Sequence, residues 1–286
     1  MPAWATASTA PGAAIRDVST APPPPFERAV ERKPFVVELP QIDGLLRVLF
    51  VPDCHVPYED KKAFELLLRA AAVFKPDLIV ILGDFADFYA VSSHSKDPRR
   101  VRLLKDEVTA VQERLQQLKA ICPRIIYVSG NHEDRLSRYL QERAPELFGH
   151  VEIPEVLGLR ELGIQYVEYK DTYHLGKLHV THDTGTAGQN AHRQSMTTFG
   201  RASTIIGHTH RMEYSVIGNA DGPPALGAMF GWLGDFDAID YMHKHKIKAD
   251  WVHGFGVGYM EPNGIVHVRP CPIVNGAVVI DGVLVR

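Results

Sequence analysis

The sequence has few cysteines, little excess charge and no long hydrophobic run. Its 286 residues include only Cys54, Cys122 and Cys271, an odd and widely spaced set that argues against a disulfide framework and fits a reducing cytoplasm. The formal net charge of -3 excludes a general basic field for nucleic acid, but not a local basic patch. No apolar run approaches the roughly 20 residues of a membrane span, and the N-terminus lacks a basic start followed by an apolar stretch. We therefore expect a cytoplasmic protein without membrane contact.

The beginning of the chain differs in composition from the rest. Residues 1–33 are rich in proline, alanine, serine and threonine and include the run from Pro22 to Pro25. Such a segment buries too little apolar surface to become ordered, so we predict a disordered extension. Residues 34–286 are predicted to form a single domain, in which residues 212–286 complete the second sheet.

Apolar runs of strand length alternate with amphipathic segments of helical spacing. Residues 62–74 and about 100–118 have the helical pattern. The apolar runs are residues 46–51, 78–82, 125–128, 177–180 and 202–206. This alternation indicates an α/β fold in which helices cover the sheets.

A polar motif follows each of the five apolar runs. In chain order the motifs are Asp53-Cys54-His55, Gly83-Asp84-Phe85-Ala86-Asp87, Gly130-Asn131-His132-Glu133, His182 and Gly207-His208-Thr209-His210. Functional groups collect at the carboxyl ends of strands in such sheets, so the motifs are predicted to form one composite site. Carboxylate, amide and imidazole donors suit a divalent cation that acts on a phosphoryl group. Cys54 alternates with its two neighbours along an extended segment and is predicted to be a core residue.

The order and spacing of these motifs resemble the calcineurin-like metallophosphoesterase superfamily. Its pattern is Asp-x-His, Gly-Asp-x-x-Asp, Gly-Asn-His-Asp/Glu, His and Gly-His-x-His, and the resemblance spans about residues 46–211. The longer strings Gly-Asn-His-Glu-Asp-Arg-Leu and Gly-His-Thr-His-Arg are similar to a group often found in phages and prophages. The resemblance implies a four-layer α/β/β/α sandwich of two mixed sheets flanked by helices.

The resemblance also implies two divalent metal ions that share one bridging carboxylate. One ion would be bound by Asp53, His55, Asp84 and His210, and the other by Asp84, Asn131, His182 and His208. The assignment of His182 is less regular than the others, because the family often has glycine after this histidine and this chain has Asp183. Manganese, iron, zinc, nickel and cobalt all accept oxygen and imidazole donors, so the metal identity stays open.

Roles for the remaining motif residues follow from the same resemblance. His132 would donate a proton to the leaving oxygen, Asp87 would hold its ring, and a hydroxide bridging the two metals would attack phosphorus. Arg135 and Arg211 are predicted to reach a phosphate, with ordinary surface arginines as the alternative interpretation.

The predicted function is hydrolysis of phosphate esters, by a phosphodiesterase or a nucleotide-directed phosphoesterase. Nucleotides and nucleic acid are therefore candidate partners, and the oligomeric state stays open. The alternative enzyme is a phosphomonoesterase or phosphoprotein phosphatase, but Asp87 is followed by Phe88-Tyr89 and not by the Arg-Gly of the protein-phosphatase branch. The alternative without catalysis is a metal-binding protein-interaction scaffold, which would have no need of His132 or Asp87.

Overall fold

Two mixed β-sheets form the centre of the structure. The computed structural model describes residues 36–40, 44–98, 100, 102–220, 222–238 and 250–286, and the predicted extension, residues 1–33, lies outside them. The first sheet has six strands in the order β11-β10-β1-β2-β3-β4. Their bounds are β1 Leu46–Val51, β2 Leu78–Ile81, β3 Ile125–Val128, β4 Gln165–Val167, β10 Gly254–Met260 and β11 Val266–Pro272. Strands β1 to β4 are parallel to one another, whereas β10 is antiparallel to both β1 and β11.

The second sheet has five strands in the order β5-β6-β7-β9-β8. Their bounds are β5 Tyr173–Leu175, β6 Leu178–Thr181, β7 Ser203–Ile206, β8 Met212–Ile217 and β9 Ala225–Phe230. Strands β6, β7 and β9 are parallel, and β5 and β8 are antiparallel edge strands. A separate hairpin is formed by β12 Val278–Ile280 and β13 Val283–Val285.

Five α-helices accompany the sheets in the described part of the chain. Their bounds are α1 Lys61–Phe74, α2 Leu104–Ile121, α3 Asp134–Arg143, α4 Ile153–Val156 and α5 Ala191–Thr198. The start of α1 is capped by Asp60, whose carboxylate accepts hydrogen bonds from the backbone N–H groups of Lys62 and Ala63. None of the helices in the described ranges combines the length and the apolar composition that crossing a membrane requires.

The central strands are buried on both faces, which explains their uninterrupted apolar sequences. Val48 and Phe50 of β1 pack between the two sheets, together with Val180 of β6 and Phe230 of β9. The alternate residues of the same strand, such as Leu49, pack beneath helices α1, α2 and α3. Burying a large apolar side chain fully contributes about 1.5–3 kcal/mol, so both interfaces are strong. The predicted Cys54 position is confirmed, because this side chain is buried in the helix-facing core.

Helix α5 covers the outer face of the second sheet. Ala191 of this helix packs against Ile206 of β7 and Met229 of β9. The layers are therefore helices, first sheet, second sheet and helix. The predicted four-layer α/β/β/α sandwich is confirmed.

The C-terminal segment is divided between the two sheets. The sequence predicts that residues 212–286 complete the second sheet, and this holds for β8 and β9 only. Strand β10 instead lies antiparallel to β1, with Leu46 opposite Met260, and β11 extends the first sheet beyond it. The physical reason is that strand pairing depends on partners distant in sequence, and the local apolar pattern of β10 is compatible with either sheet.

Candidate metal centre

The five predicted motifs meet where the carboxyl ends of the parallel strands of both sheets come together. Backbone hydrogen bonds join their loops. The N–H of His55 donates to the carbonyl oxygen of Asp84 at 2.9 Å, and the N–H of Gly207 donates to the carbonyl oxygen of His182 at 2.9 Å. The two sheets are connected at the site itself, because the backbone N–H of His208 donates to Oδ2 of Asp53 at 3.0 Å.

The first group of donors contains one carboxylate and two imidazoles, those of Asp53, His55 and His210. Their ligand atoms lie within 4.8 Å of one another, and all three side chains are buried. Nε2 of His210 lies 3.1 Å from Oδ2 of Asp53 and 3.0 Å from Nε2 of His55. Two ring nitrogens that face each other at this distance are satisfied by one shared proton or by a common cation.

The second group contains Asp84, His182 and His208, whose ligand atoms also lie within 4.8 Å of one another. Asn131 completes it, since its Oδ1 lies 3.1 Å from Nε2 of His182 and 2.7 Å from Nδ1 of His208. Oδ2 of Asp84 is 3.3 Å from the same Nε2 of His182. On the far side of this ring, Nδ1 donates to the Leu82 carbonyl oxygen at 2.7 Å, which orients Nε2 toward the other donors.

Asp84 stands between the two groups. It also forms a set with His55 of the first group and with His132, again with ligand atoms within 4.8 Å. Oδ1 of Asp84 accepts a hydrogen bond from the backbone N–H of His132 at 2.8 Å, which holds the carboxylate in this central position. The arrangement places one carboxylate within reach of both groups.

Four of the candidate ligands have a left-handed backbone conformation that residues other than glycine rarely adopt. The φ angle is 54° at His55, 46° at Asp84, 67° at His208 and 58° at His210. Such conformations cost about 1–3 kcal/mol each, persist only where the surroundings fix them, and are concentrated at functional sites. The strain therefore lies on the donors themselves.

Two motif glycines are required because candidate ligands approach them closely. A Cβ atom on Gly130 would collide with Oδ1 of Asp84, and one on Gly83 would collide with Nδ1 of His182. Gly83 also has a φ of 91°, which L-residues with a side chain rarely adopt. A larger residue at either position would displace a candidate ligand.

Glu133, the last residue of the third motif, has a structural role that the motif pattern alone does not reveal. Its buried carboxylate accepts hydrogen bonds from the backbone N–H groups of Asp84 at 3.0 Å, Ala86 at 2.9 Å and Gly130 at 2.8 Å, and from the hydroxyl of Tyr127 at 2.6 Å. These bonds fasten the second motif to the third. The sequence signal that could have indicated this role is the position of the carboxylate. Glu133 directly follows Gly-Asn-His, between the buried strand β3 and helix α3.

His132 and Asp87, the predicted proton donor and its partner, are adjacent. Nδ1 of His132 lies 3.2 Å from Oδ2 of Asp87, and the same oxygen lies 3.1 Å from Nδ1 of His55. Arg135 contacts both members of the pair. Its NH1 donates to Oδ1 of Asp87 at 3.0 Å and to the Asp87 carbonyl oxygen at 2.9 Å, and its NH2 lies 2.9 Å from Nε2 of His132.

The two arginines predicted to reach a phosphate both have partners within the protein. The side chain of Arg135 is only 13% exposed, in keeping with its contacts to the His132–Asp87 pair. Arg211 donates from NH1 to the Ala187 carbonyl oxygen at 3.0 Å, and its Nε lies 3.7 Å from Asp250. Contact with a substrate stays a prediction for each of them.

The carboxylates set the protonation of the surrounding histidines. Burial opposes a charge on His182, but the nearby charge of Asp84 outweighs it and raises the pKa of His182 to about 10. Burial also opposes a charge on His132, and there the charges of Asp84 and Asp87 raise the pKa. His55 differs, because burial and the neighbouring His132 lower its pKa. The negative potential that holds protons here also favours a divalent cation.

The donor chemistry fits such a cation. The seven candidate ligands provide carboxylate oxygens, one amide oxygen and imidazole nitrogens, which are hard or borderline donors for first-row divalent metals. They are Asp53, His55, Asp84, Asn131, His182, His208 and His210. Six of them have ligand atoms within 4.8 Å of the others in their group. The seventh, Asn131, directs its side-chain oxygen at His182 and His208.

The fold and the site therefore define the class of protein, a two-sheet α/β protein whose clustered carboxylates and imidazoles could hold metal ions where the sheets meet. The chain belongs to the calcineurin-like phosphoesterase family, whose family model matches residues 46–254. This range contains all five motifs, the whole second sheet and strands β1 to β4 of the first sheet, and it ends at the first residue of β10. The resemblance inferred from the motifs is confirmed.

The chain is also similar to two phage proteins and to a solved structure. The Gene 54 protein of Mycobacterium phage L5 is 27% identical over 257 residues, which cover 82% of this chain and 97% of that protein. The Gene 54 protein of Mycobacterium phage D29 is 28% identical over the same length, with the same shares covered. The predicted similarity to a phage group is thus confirmed. The structure of Vacuolar Protein Sorting 29 from Cryptosporidium parvum matches with a TM-score of 0.43 and 17% identity, covering 85% of this chain and 95% of that one.

Proposed function

We propose that this protein hydrolyses phosphate esters at a centre of two divalent metal ions. The observation that carries the proposal is the convergence of seven donors from five loops, with Asp84 between the two groups. Membership of the calcineurin-like phosphoesterase family supports it. Asp53, His55, Asp84 and His210 would hold one ion, and Asp84, Asn131, His182 and His208 the other.

The chemistry follows from the charges around the centre. Two bound divalent cations would polarise the phosphoryl oxygens and lower the pKa of a bound water. Asn131 contributes a neutral amide oxygen, which limits the negative charge of the donor set so that an anionic phosphate can approach. Asp84 would have the same effect, because a single carboxylate shared by both ions would add only one negative charge.

His132 acts as the proton donor to the leaving oxygen. Asp87 lies at Nδ1 of the ring, so Nε2 is the atom left to release a proton. The NH2 group of Arg135 lies 2.9 Å from this Nε2, and its positive charge opposes protonation there. Arg135 therefore favours release of the proton, whereas Asp84 and Asp87 favour its retention and raise the pKa of His132.

A phosphodiester or a nucleotide is the substrate class that the residues around Asp87 favour. Phe88 occupies the position at which the protein-phosphatase branch carries arginine, and its side chain is 1% exposed within the helix-facing core. This position offers no cation to a terminal phosphate. The similarity to two mycobacteriophage proteins adds support, because the longer motif strings resemble the same phage group.

The test is hydrolysis by protein reconstituted with manganese, and then with zinc, iron, nickel or cobalt. The substrates are a chromogenic phosphodiester and the matching phosphomonoester, followed by cyclic nucleotides and single-stranded DNA. We expect metal-dependent hydrolysis, faster for the diester than for the monoester. Faster hydrolysis of the monoester would favour the phosphomonoesterase. Protein with bound metal that hydrolyses no phosphate ester would favour a binding scaffold.

A further inference from the structure

His210 differs from two other candidate histidine ligands in how the far side of its ring is held. Metal-binding histidines usually donate their second ring N–H to a carbonyl or carboxylate oxygen. His182 has the Leu82 carbonyl oxygen 2.7 Å from its Nδ1, and His55 has Oδ2 of Asp87 3.1 Å from its Nδ1. Nδ1 of His210 is buried and has no hydrogen-bond partner within the described residues.

Two tryptophans surround the ring of His210 instead. The indole of Trp232 lies parallel to the imidazole, with ring centroids 4.8 Å apart and planes 10° apart. The indole of Trp251 lies nearly perpendicular to it, at 4.2 Å and 80°. The two indoles also pack against each other at 4.9 Å and 70°. One aromatic cluster thus holds the imidazole from two directions.

Trp232 is itself fixed in place. Its side chain is fully buried, and its backbone N–H donates to the Val252 carbonyl oxygen at 3.1 Å. The next residue, Leu233, donates its backbone N–H to the carbonyl oxygen of Asp53 at 2.7 Å, which ties this segment to the first motif. A Cβ atom on Gly234 would collide with the indole, so the ring fills its space closely. Packing therefore leaves the indole little freedom to tilt.

We propose that Trp232 and Trp251 are positioning residues that set the ring plane of His210 for the first metal ion. This inference rests on the proposed metal centre. A parallel indole restrains tilting of the imidazole, and a perpendicular one restrains its rotation about χ2. Nε2 then stays directed at Asp53 and His55 without the usual hydrogen bond at Nδ1.

The proposal predicts an effect on one metal ion only. Trp232 lies near the second histidine of the first group as well, with its ring centroid 6.3 Å from that of His55. Among the ring contacts of the described residues, neither indole meets His182 or His208 of the second group. Loss of either indole should therefore weaken the first ion and spare the second.

The experiment is calorimetric titration of the metal-free full chain with Co²⁺, for wild type, Trp232→Leu, Trp232→Phe and Trp251→Leu. The matched control is Phe199→Leu, because Phe199 packs on His179 at 4.8 Å, a histidine outside the donor groups. We expect wild type and Phe199→Leu to bind two ions. Trp232→Leu should bind one of the two about 10–100-fold more weakly, the usual effect of removing a group that orients a metal ligand. Trp232→Phe, which keeps a ring face, should recover most of the affinity.

The visible absorption of bound Co²⁺ gives a second readout, because it reports ligand geometry rather than stability. Failure of the wild type to bind Co²⁺ would contradict the metal centre itself. Wild type that binds two ions, with Trp232→Leu unchanged or with both ions weakened equally, would overturn the positioning role. If circular dichroism shows that Trp232→Leu does not fold, Trp251→Leu tests the positioning role by the same criteria, because Trp251 is partly exposed and its replacement disturbs the core less.

Discussion

Oδ2 of Asp87 lies 3.2 Å from Nδ1 of His132, while Oδ1 of the same carboxylate accepts a hydrogen bond from Arg135 at 3.0 Å. Burial opposes ionisation of Asp87, but the charge of His132 and its hydrogen bond outweigh it and hold the pKa of Asp87 well below its usual range. Asp87 is therefore a carboxylate at neutral pH. It orients the His132 ring and favours its protonated form, as a proton donor requires.

Replacement of His132 should separate the chemistry from metal binding. We expect His132→Ala to lower kcat by about 10²–10⁴-fold, the usual scale for the loss of an acid–base group. The metal content should stay at the wild-type level, because His132 is outside both proposed ligand sets. The measurement is kcat on a phosphodiester together with elemental analysis. His150→Ala, at an exposed position, is the control. Equal turnover in His132→Ala and wild type would remove His132 from the mechanism.

Arg135 offers a test between positioning and direct substrate binding. We expect Arg135→Met to lower kcat and leave KM near the wild-type value, because its guanidinium contacts Asp87 and His132. Since the charge of Arg135 lowers the pKa of His132, its removal should also shift the alkaline limb of the pH–rate profile to higher pH. The measurement is a full kinetic profile against pH, with Arg143→Met as the control at an exposed position of the same helix. A raised KM with unchanged kcat would indicate a phosphate contact instead.

Glu133 should be critical for stability. Glu133→Ala leaves the backbone N–H groups of Asp84, Ala86 and Gly130 without an acceptor, and a buried unsatisfied donor costs about 1–3 kcal/mol. We expect a loss of about 3 kcal/mol or more in the free energy of unfolding of the metal-free protein, measured with urea. Glu142→Ala, on the exposed side of α3, should change it by less than about 0.5 kcal/mol. Similar losses in the two variants would contradict the role of Glu133.

Glu107 predicts a pH-dependent contribution to stability. Its Oε1 accepts a hydrogen bond from the backbone N–H of Ala90 at 3.0 Å, whereas the buried Oε2 has no partner within the described residues. Burial, reinforced by the charge of Asp87, raises the pKa of Glu107 from 4.5 to about 7. Folding therefore favours the protonated form. The resulting stability is fully present below about pH 4.5 and is lost as the pH rises through about 7.

The variant Glu107→Gln isolates this contribution, because its amide does not titrate. The pKa shift corresponds to roughly 3 kcal/mol at most. We expect wild type to lose stability relative to Glu107→Gln between about pH 5 and about pH 8, as measured by urea unfolding at several pH values. Glu113→Gln, at an exposed position of the same helix, should parallel wild type throughout. A constant difference between wild type and Glu107→Gln would refute the shifted pKa.

The convergence of the motifs at the candidate site could be predicted from the sequence, because local and topological signals agree there. Asp53, Asp84 and Asn131 each follow an apolar run that forms a parallel strand, and parallel neighbours bring their carboxyl ends to one edge. His208 and His210 alternate along one turn, and their side chains enter different donor groups. The family pattern then indicated which side chains belong together.

What the sequence could not predict depends on contacts between distant segments. The pairing of β10 with β1 involves residues about 200 positions apart, and no local pattern specifies it. The position of Trp232 against His210 is of the same kind, since tryptophan among glycines is equally compatible with ordinary sheet packing. The four hydrogen bonds of Glu133 likewise arise only when the second and third motifs have come together.

The most direct test of the shared aspartate is the metal content of Asp84→Asn, determined by elemental analysis after manganese loading and dialysis. Asp84 is the one side chain assigned to both ions, so its loss should remove both. We predict two equivalents of manganese per chain in wild type and essentially none in Asp84→Asn, with hydrolysis lost in parallel. Two equivalents retained by folded Asp84→Asn would contradict the account.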